Sequence, residues 1–158
     1  MNISVNIEIE RPLETVWKAV CNIKKADKMI SAITRLKILE EPDEEGSLVG
    51  LKWRETRKVF GKESDETMWI IDYQELSSYT TRAENHGAIY TSTISVKEVG
   101  ENTLLTMAFS GTSNSRWTRF VAAVMSIFVK RSMIKMLDKD LLEIKEYIEK
   151  KGEITRRN

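Results

Sequence analysis

Cysteine occurs once in this 158-residue chain, as Cys21, which excludes an internal disulfide framework and makes the cytoplasm the expected location. Histidine also occurs once, as His86, so neither a multi-histidine metal site nor more than one Ser-His-Asp arrangement can be built, and no metal or other cofactor is expected. The glycines at 46, 50 and 61 do not have the spacing of a phosphate-binding loop, and no repeat or low-complexity tract is present. Charge of one sign is not in excess: 25 basic and 24 acidic residues leave a formal net charge of +1. Without a basic face interleaved with aromatics, nucleic acid is not expected as a partner. The longest apolar run, Phe120 to Val129, is about half of the roughly 20 residues a membrane-spanning helix needs. The opening MNISVNIEIE alternates apolar and polar residues, so it reads as a strand and not as a signal or transit peptide. One domain is expected over residues 1–150, followed by a disordered tail at 151–158.

What is present is strand pattern enclosed by helix pattern. Ile3, Val5, Ile7 and Ile9 alternate with polar residues, the signature of a half-buried strand. Pro12 stands where a first helical turn tolerates it, and Leu13, Val16, Trp17, Val20 and Ile23 follow at helical spacing. A second short helix is expected over 25–32. Strands are then expected at 35–41, 48–59, 63–73, 78–85, 88–97 and 103–111, separated by turn residues such as Pro42–Asp43, Gly61, Gly87 and Gly100. The stretch from Trp117 to Lys150 has no Gly or Pro and is rich in helix formers. Phe120, Val121, Val124 and Phe128 recur at helical spacing, as do Leu137, Leu141, Ile144 and Ile148, but the two sets do not share one stripe. A kink, or two abutting helices, is therefore expected near Lys130–Ser132. Six sequential strands with short connections favour antiparallel pairing, giving an α+β fold in which a long helix lies across a curved seven-stranded sheet.

The segment GLKWRETRKVFGKESDETMWII, Gly50 to Ile71, fixes one register. A reversal at Phe60–Gly61 pairs Val59 with Lys62, and then Arg57 faces Ser64, Glu55 faces Glu66, Trp53 faces Met68 and Leu51 faces Ile70. These share one side of the sheet, and Lys52, Arg54, Thr56 and Lys58 share the other, which belongs in water. Trp69 and Ile71 then point outward as an apolar pair available for an oligomer or partner contact.

At these residues the chain resembles the START-related, birch-pollen-allergen-like superfamily, and within it the polyketide cyclase/dehydrase and lipid-transport branch. Four stretches carry the likeness: the first strand with Arg11–Pro12 and Val16–Trp17; GLKWRETRKVFGKESDET; Asn85–His86–Gly87 with Tyr90, leading to Gly100 and Thr103–Leu104; and the terminal DKDLLEIKEYIEK. The resemblance implies a helix-grip fold with a cavity between sheet and C-terminal helix. Members of the superfamily differ widely in activity, so architecture follows more directly than function.

Strand parity lines that cavity with Trp53, Met68, Ile70, Tyr90, Ile94, Leu105, Met107 and Phe109, joined by Val124 and Phe128 of the helix. Residue types alone leave open whether these side chains fill the interior or leave a pocket; the resemblance implies the pocket. Met-rich walls suit an irregular apolar ligand. Glu55, Glu66 and Arg57 form the one ionisable cluster on the inner face. Two facing carboxylates repel unless Arg57 reaches both or one holds a proton. Either carboxyl, Glu55 or Glu66, is thus a candidate general acid or base, and the alternative is a salt-bridge network at the open end of the sheet, half in water. Tyr90 is a candidate to orient a ligand or else a core tyrosine, His86 reads as a turn residue, and Cys21 reads as a buried thiol. Arg116, Arg119, Lys130 and Arg131 bracket an apolar helix segment that either closes the cavity or dips into a lipid surface. The expected function is binding of a small hydrophobic molecule, a lipid or polyketide-like compound, in a soluble helix-grip protein. A cyclase or dehydratase using the same cavity is the alternative, and a protein-interaction module docking through Trp69 and Ile71 is a third reading.

Overall fold

A computed structural model describes the backbone of residues 2–85, 87–113 and 116–156, and the side chains of these residues except 113, 116–126 and 154–156. In chain order the elements are β1 (Asn2–Ile9), α1 (Leu13–Val20), a 3-10 turn (Ile23–Lys25), α2 (Ala26–Met29), β2 (Ile33–Glu40), β3 (Lys52–Val59), β4 (Lys62–Gln74), β5 (Ser78–Asn85), β6 (Ala88–Val99), β7 (Asn102–Ser113) and α3 (Arg116–Arg156). The seven strands form one antiparallel sheet in the order β1-β7-β6-β5-β4-β3-β2. Six strands are therefore a meander, and β1 adds to its far edge. The α+β helix-grip architecture is as expected from the sequence.

The alternation in β1 does what it promised: Ile3, Val5 and Ile9 are buried on the helix side and Asn2, Ser4, Asn6 and Glu8 are exposed. The core clusters these residues with Val16, Trp17 and Val20 of α1 and with Leu137, Leu141, Ile144 and Ile148 of α3. Each fully buried aliphatic side chain such as Ile9, Leu105 or Leu141 contributes about 1.5–3 kcal/mol. Trp17 packs between Tyr73 and Tyr79, at 5.7 and 6.2 Å between ring centroids, and the Tyr79 hydroxyl donates to the Val20 carbonyl at 3.0 Å, satisfying the end of α1.

Polar contacts tie the C-terminal half of α3 to the body. Lys145 donates to the Glu8 carbonyl at 2.8 Å, the Glu10 amide donates to Glu149 at 2.9 Å, and Arg11 donates to the Glu149 carbonyl. Thr103, fully buried, donates to the Arg11 carbonyl at 2.8 Å and so fixes the bend that leaves β1. One helical turn or more away, Glu143 accepts from the Ser31 amide and hydroxyl at 2.9 and 2.7 Å.

Several expectations are corrected. α3 is unbroken through Lys130–Ser132, so two abutting helices are not formed, and the change of apolar face occurs within one helix. It also continues to Arg156, so the stretch expected as a disordered tail is helical up to that residue; Gly152 lets it pass close against the Arg11 side chain. α1 ends at Val20 and not near Ile23, because Cys21 and Asn22 turn the chain into the 3-10 segment. β3 begins at Lys52 because residues 47–50 form a loop, closed by the Asp43 amide on the Val49 carbonyl at 2.9 Å. Thr56 is buried, not in water: its hydroxyl is 2.5 Å from Asp65 and its carbonyl accepts from Thr34.

Two turns depend on left-handed backbone. Gly50 has φ 87°, and a Cβ there would run into the Asp43 carboxylate. Phe60 (φ 50°) and Gly61 (φ 77°) reverse the chain between β3 and β4 where the sequence placed the turn, although a phenylalanine in that conformation costs about 1–2 kcal/mol. Gly50→Ala should therefore destabilise the protein by about 1–2 kcal/mol in urea denaturation, and an unchanged midpoint would show that the loop adapts without cost.

Candidate functional site

Facing pairs across β3 and β4 are Trp53 with Met68, Glu55 with Glu66 and Arg57 with Ser64, the register expected from the turn. The row continues from Met68 to Ala83, Tyr90 and Gly111, so one line of side chains crosses five strands on the helix side. A second row runs Ile70, Thr81, Ser92, Phe109 and Ile3, and a third Tyr73, Tyr79, Ile94, Met107 and Val5. Gly111 has a reason to be glycine: a Cβ there would stand 3.2 Å from the Tyr90 ring, which stacks on Phe109 at 5.8 Å between centroids.

Burial divides this face. Trp53, Ile70, Ile94 and Leu105 are buried; α1 packs against β6 and β7, and α3 against β1 and β7. Met68, Tyr90, Ser92, Met107 and Phe109 are only half-buried. Of the helix residues expected to complete the lining, Val124 lies outside the described side chains, and so does His86. Phe128 is not in the lining: it is 78% exposed, because the turn Ile127–Arg131 is exposed on all sides and does not pack on the sheet.

The ionisable cluster is a network, but a buried one. Arg57 donates through Nε to Glu55 at 2.8 Å and through Nη2 to Asp140 of α3 at 2.7 Å, and Trp53 Nε1 donates to Glu55 at 3.3 Å. Arg57 thus joins sheet to helix and does not bridge Glu55 to Glu66. Burial works against the Arg57 cation, but Asp140 and Glu55 outweigh it and hold its pKa above the usual value. Burial pushes the Asp140 carboxyl up, and Arg57 offsets this only in part. Among the described residues Glu66 has no such partner: removal from water, then the facing Glu55, push its carboxyl above 4.5 against the pull of Arg57. It is the inner-face carboxyl that burial and a facing carboxylate both push toward the protonated form. Burial pushes the Cys21 thiol up to about 12, which disfavours the thiolate that a nucleophile needs.

Asp140 is the residue that sequence reasoning missed. It is 2% exposed and falls at helical spacing between Leu137 and Ile144, on the buried stripe. A charged residue on an apolar stripe was the available signal. A groove of about 380 Å³ opens beside it, between α3 and the β3–β4 turn, lined by Ala32, Val59, Phe60, Val129, Met133 and Met136 among others. None of the described residues expected to line the cavity borders this groove. Trp69 and Ile71 do lie on the outer face, half-buried and exposed respectively, Trp69 between Lys52 and Arg82. Among the described residues no three His, Cys, Asp or Glu side chains converge to hold a metal ion.

The family model for polyketide cyclase/dehydrase and lipid transport matches residues 1–149. The chain belongs to that family. Solved structures share its architecture at low identity. A Thermus thermophilus protein superposes with a TM-score of 0.75 at 13% identity, covering 94% of this chain and 97% of its own. A START superfamily protein from Mycobacterium smegmatis gives 0.73 at 14% identity, with 94% and 97% covered. An aromatase/cyclase from Streptomyces sp. R1128 gives 0.70 at 12% identity, with 96% and 95% covered. No curated protein matches the sequence. At these identities the likeness is one of fold, and what this polyketide cyclase/dehydrase family member does must be read from its own residues.

Asp140→Asn should cost about 3 kcal/mol, because Arg57 keeps its buried charge and loses half of its compensation. Glu66→Gln should act in the opposite sense. Glu66 binds its proton more tightly folded than unfolded, so its contribution falls as pH rises from about 4.5 through the raised folded value. The glutamine variant should therefore be the more stable protein at pH 7, with an advantage that disappears on acidification below 4.5. An advantage independent of pH would show that Glu66 is not held above its ordinary range.

Proposed function

We propose that this chain binds a small hydrophobic molecule, a lipid or polyketide-like compound, against the half-buried part of the inner sheet face. The observation that carries this reading is the contrast along that face. Ile94 and Leu105 are buried where α1 and α3 cover β6 and β7, while Met68, Tyr90, Met107 and Phe109 are only half-buried on the same sheet face. Burying that surface under a ligand is worth roughly 25 cal/mol per Å². Polarizable methionines adapt to ligand shape, and Tyr90 and Glu66 supply the polar groups that fix orientation. Family membership over residues 1–149 supports the same reading.

A second reading has its own observation. A carboxyl raised by desolvation beside an apolar face is the equipment for proton transfer, and Glu66 meets that description, while Glu55 is engaged by Arg57 and Trp53. A cyclase or dehydratase would use Glu66 as the proton carrier in the same space.

Native mass spectrometry of protein isolated from its own source should show a bound apolar compound. Ser92→Phe, which adds bulk in the middle of the face, should abolish that adduct while leaving the fold intact by circular dichroism. An adduct retained at full occupancy would place the ligand elsewhere. Glu66→Gln separates the two readings: turnover of the captured compound lost with affinity kept indicates the enzyme, and no turnover in either protein indicates the carrier.

A further inference from the structure

We propose that the β3–β4 turn and the exposed turn of α3 together form a peripheral docking surface for a membrane that carries anionic lipid. Phe60 is 85% exposed at the apex of its hairpin, Ile127 is 64% exposed and Phe128 78%. These are not scattered positions. Phe60 and Val129 line one groove, so the hairpin apex and the helical turn are neighbours in space. Contiguous apolar side chains of this size on a surface mark an interaction site. Packing does not account for Phe60, which holds a left-handed backbone conformation unfavourable to it while touching little of its own protein.

The charge around these side chains selects the partner. Lys58 and Lys62 flank Phe60, Lys130 and Arg131 follow Val129, and Lys135 stands one turn further along α3. None of these five side chains has a hydrogen bond or an ion pair among the described residues. Three acids near this surface are turned to other partners: Glu63 to Thr34 and Arg35, Asp65 to Thr56, Asp140 to Arg57. An apolar wedge ringed by free cations fits an anionic bilayer surface, where the wedge enters the acyl boundary and the cations meet headgroups. A second copy of the chain would bring like charge against like charge. Among the described residues no helix is long and apolar enough to cross a membrane, so the contact lies in the interface. This docking is independent of what occupies the inner face of the sheet.

The test is cosedimentation of the full chain with phosphatidylcholine vesicles, with and without phosphatidylserine. The protein should pellet with the phosphatidylserine vesicles, less as salt is raised, and remain in solution with phosphatidylcholine alone. A Phe60→Ser/Phe128→Ser double variant should bind about tenfold more weakly. A Lys58→Gln/Lys62→Gln variant should lose the preference for anionic vesicles, both variants keeping the parent circular dichroism spectrum. Equal pelleting with the two vesicle types, no pelleting with either, or unchanged binding by the phenylalanine variant would overturn the proposal. Sedimentation velocity without vesicles supplies the remaining outcome: a dimer that the phenylalanine substitutions disperse would assign the surface to a second copy and overturn the membrane reading.

Discussion

A helix is too narrow for the sheet it covers. Seven strands at about 4.8 Å spacing span roughly 30 Å, while a helix with its side chains is about 10 Å across. The inner face must bury its apolar side chains against something, and α3 alone cannot supply enough surface. The fold meets this constraint by curving the sheet, by adding α1 and α2 over the open side, and by concentrating the helix on β1 and β7. What those elements do not reach stays half-covered, and Met68, Tyr90 and Phe109 stand there. The candidate ligand site is thus a consequence of geometry and not an added feature.

The same constraint explains why α3 is anchored with polar groups. Hydrophobic contact secures it on β1, but towards β3 the intervening distance is bridged by a long side chain, Arg57, whose guanidinium meets Glu55 of its own strand and Asp140 of α3. A buried charge with one strong partner is costly and with two is tolerable. The arrangement orients α3 relative to the β3–β4 hairpin without filling the space between them. An apolar bridge of similar length would tend to collapse that space.

Much of this was legible in the chain. The register of the hairpin followed from one turn, because a reversal at Phe60–Gly61 sets every later pair, back to Trp53 with Met68. Strand order and helix count followed from punctuation by glycine and proline. The misreadings share a cause: they concern how far tertiary contact extends along an element. Spacing placed Phe128 on an apolar face, but cannot say where the helix leaves the sheet. Thr56 was assigned to water by parity, but its strand neighbour Asp65 and the edge strand cover it. Asp140 was passed over in a segment dense with charge, although its spacing from Leu137 and Ile144 put it on the inner stripe. Pairing of Arg57 with Asp140, 83 positions apart, required the fold itself.

Strand β2 carries one more implication. It is a terminal strand of the sheet, and an uncapped terminal strand invites other chains to extend the ladder. Here its pairing with β3 is interrupted twice within eight residues, between Ile33 and Arg35 and between Ile38 and Glu40. Arg35, Lys37 and Glu40 project charge along the same stretch. A protein with uncovered apolar surface elsewhere has most to lose from polymerising through its backbone, and these irregularities deny an incoming strand a straight template.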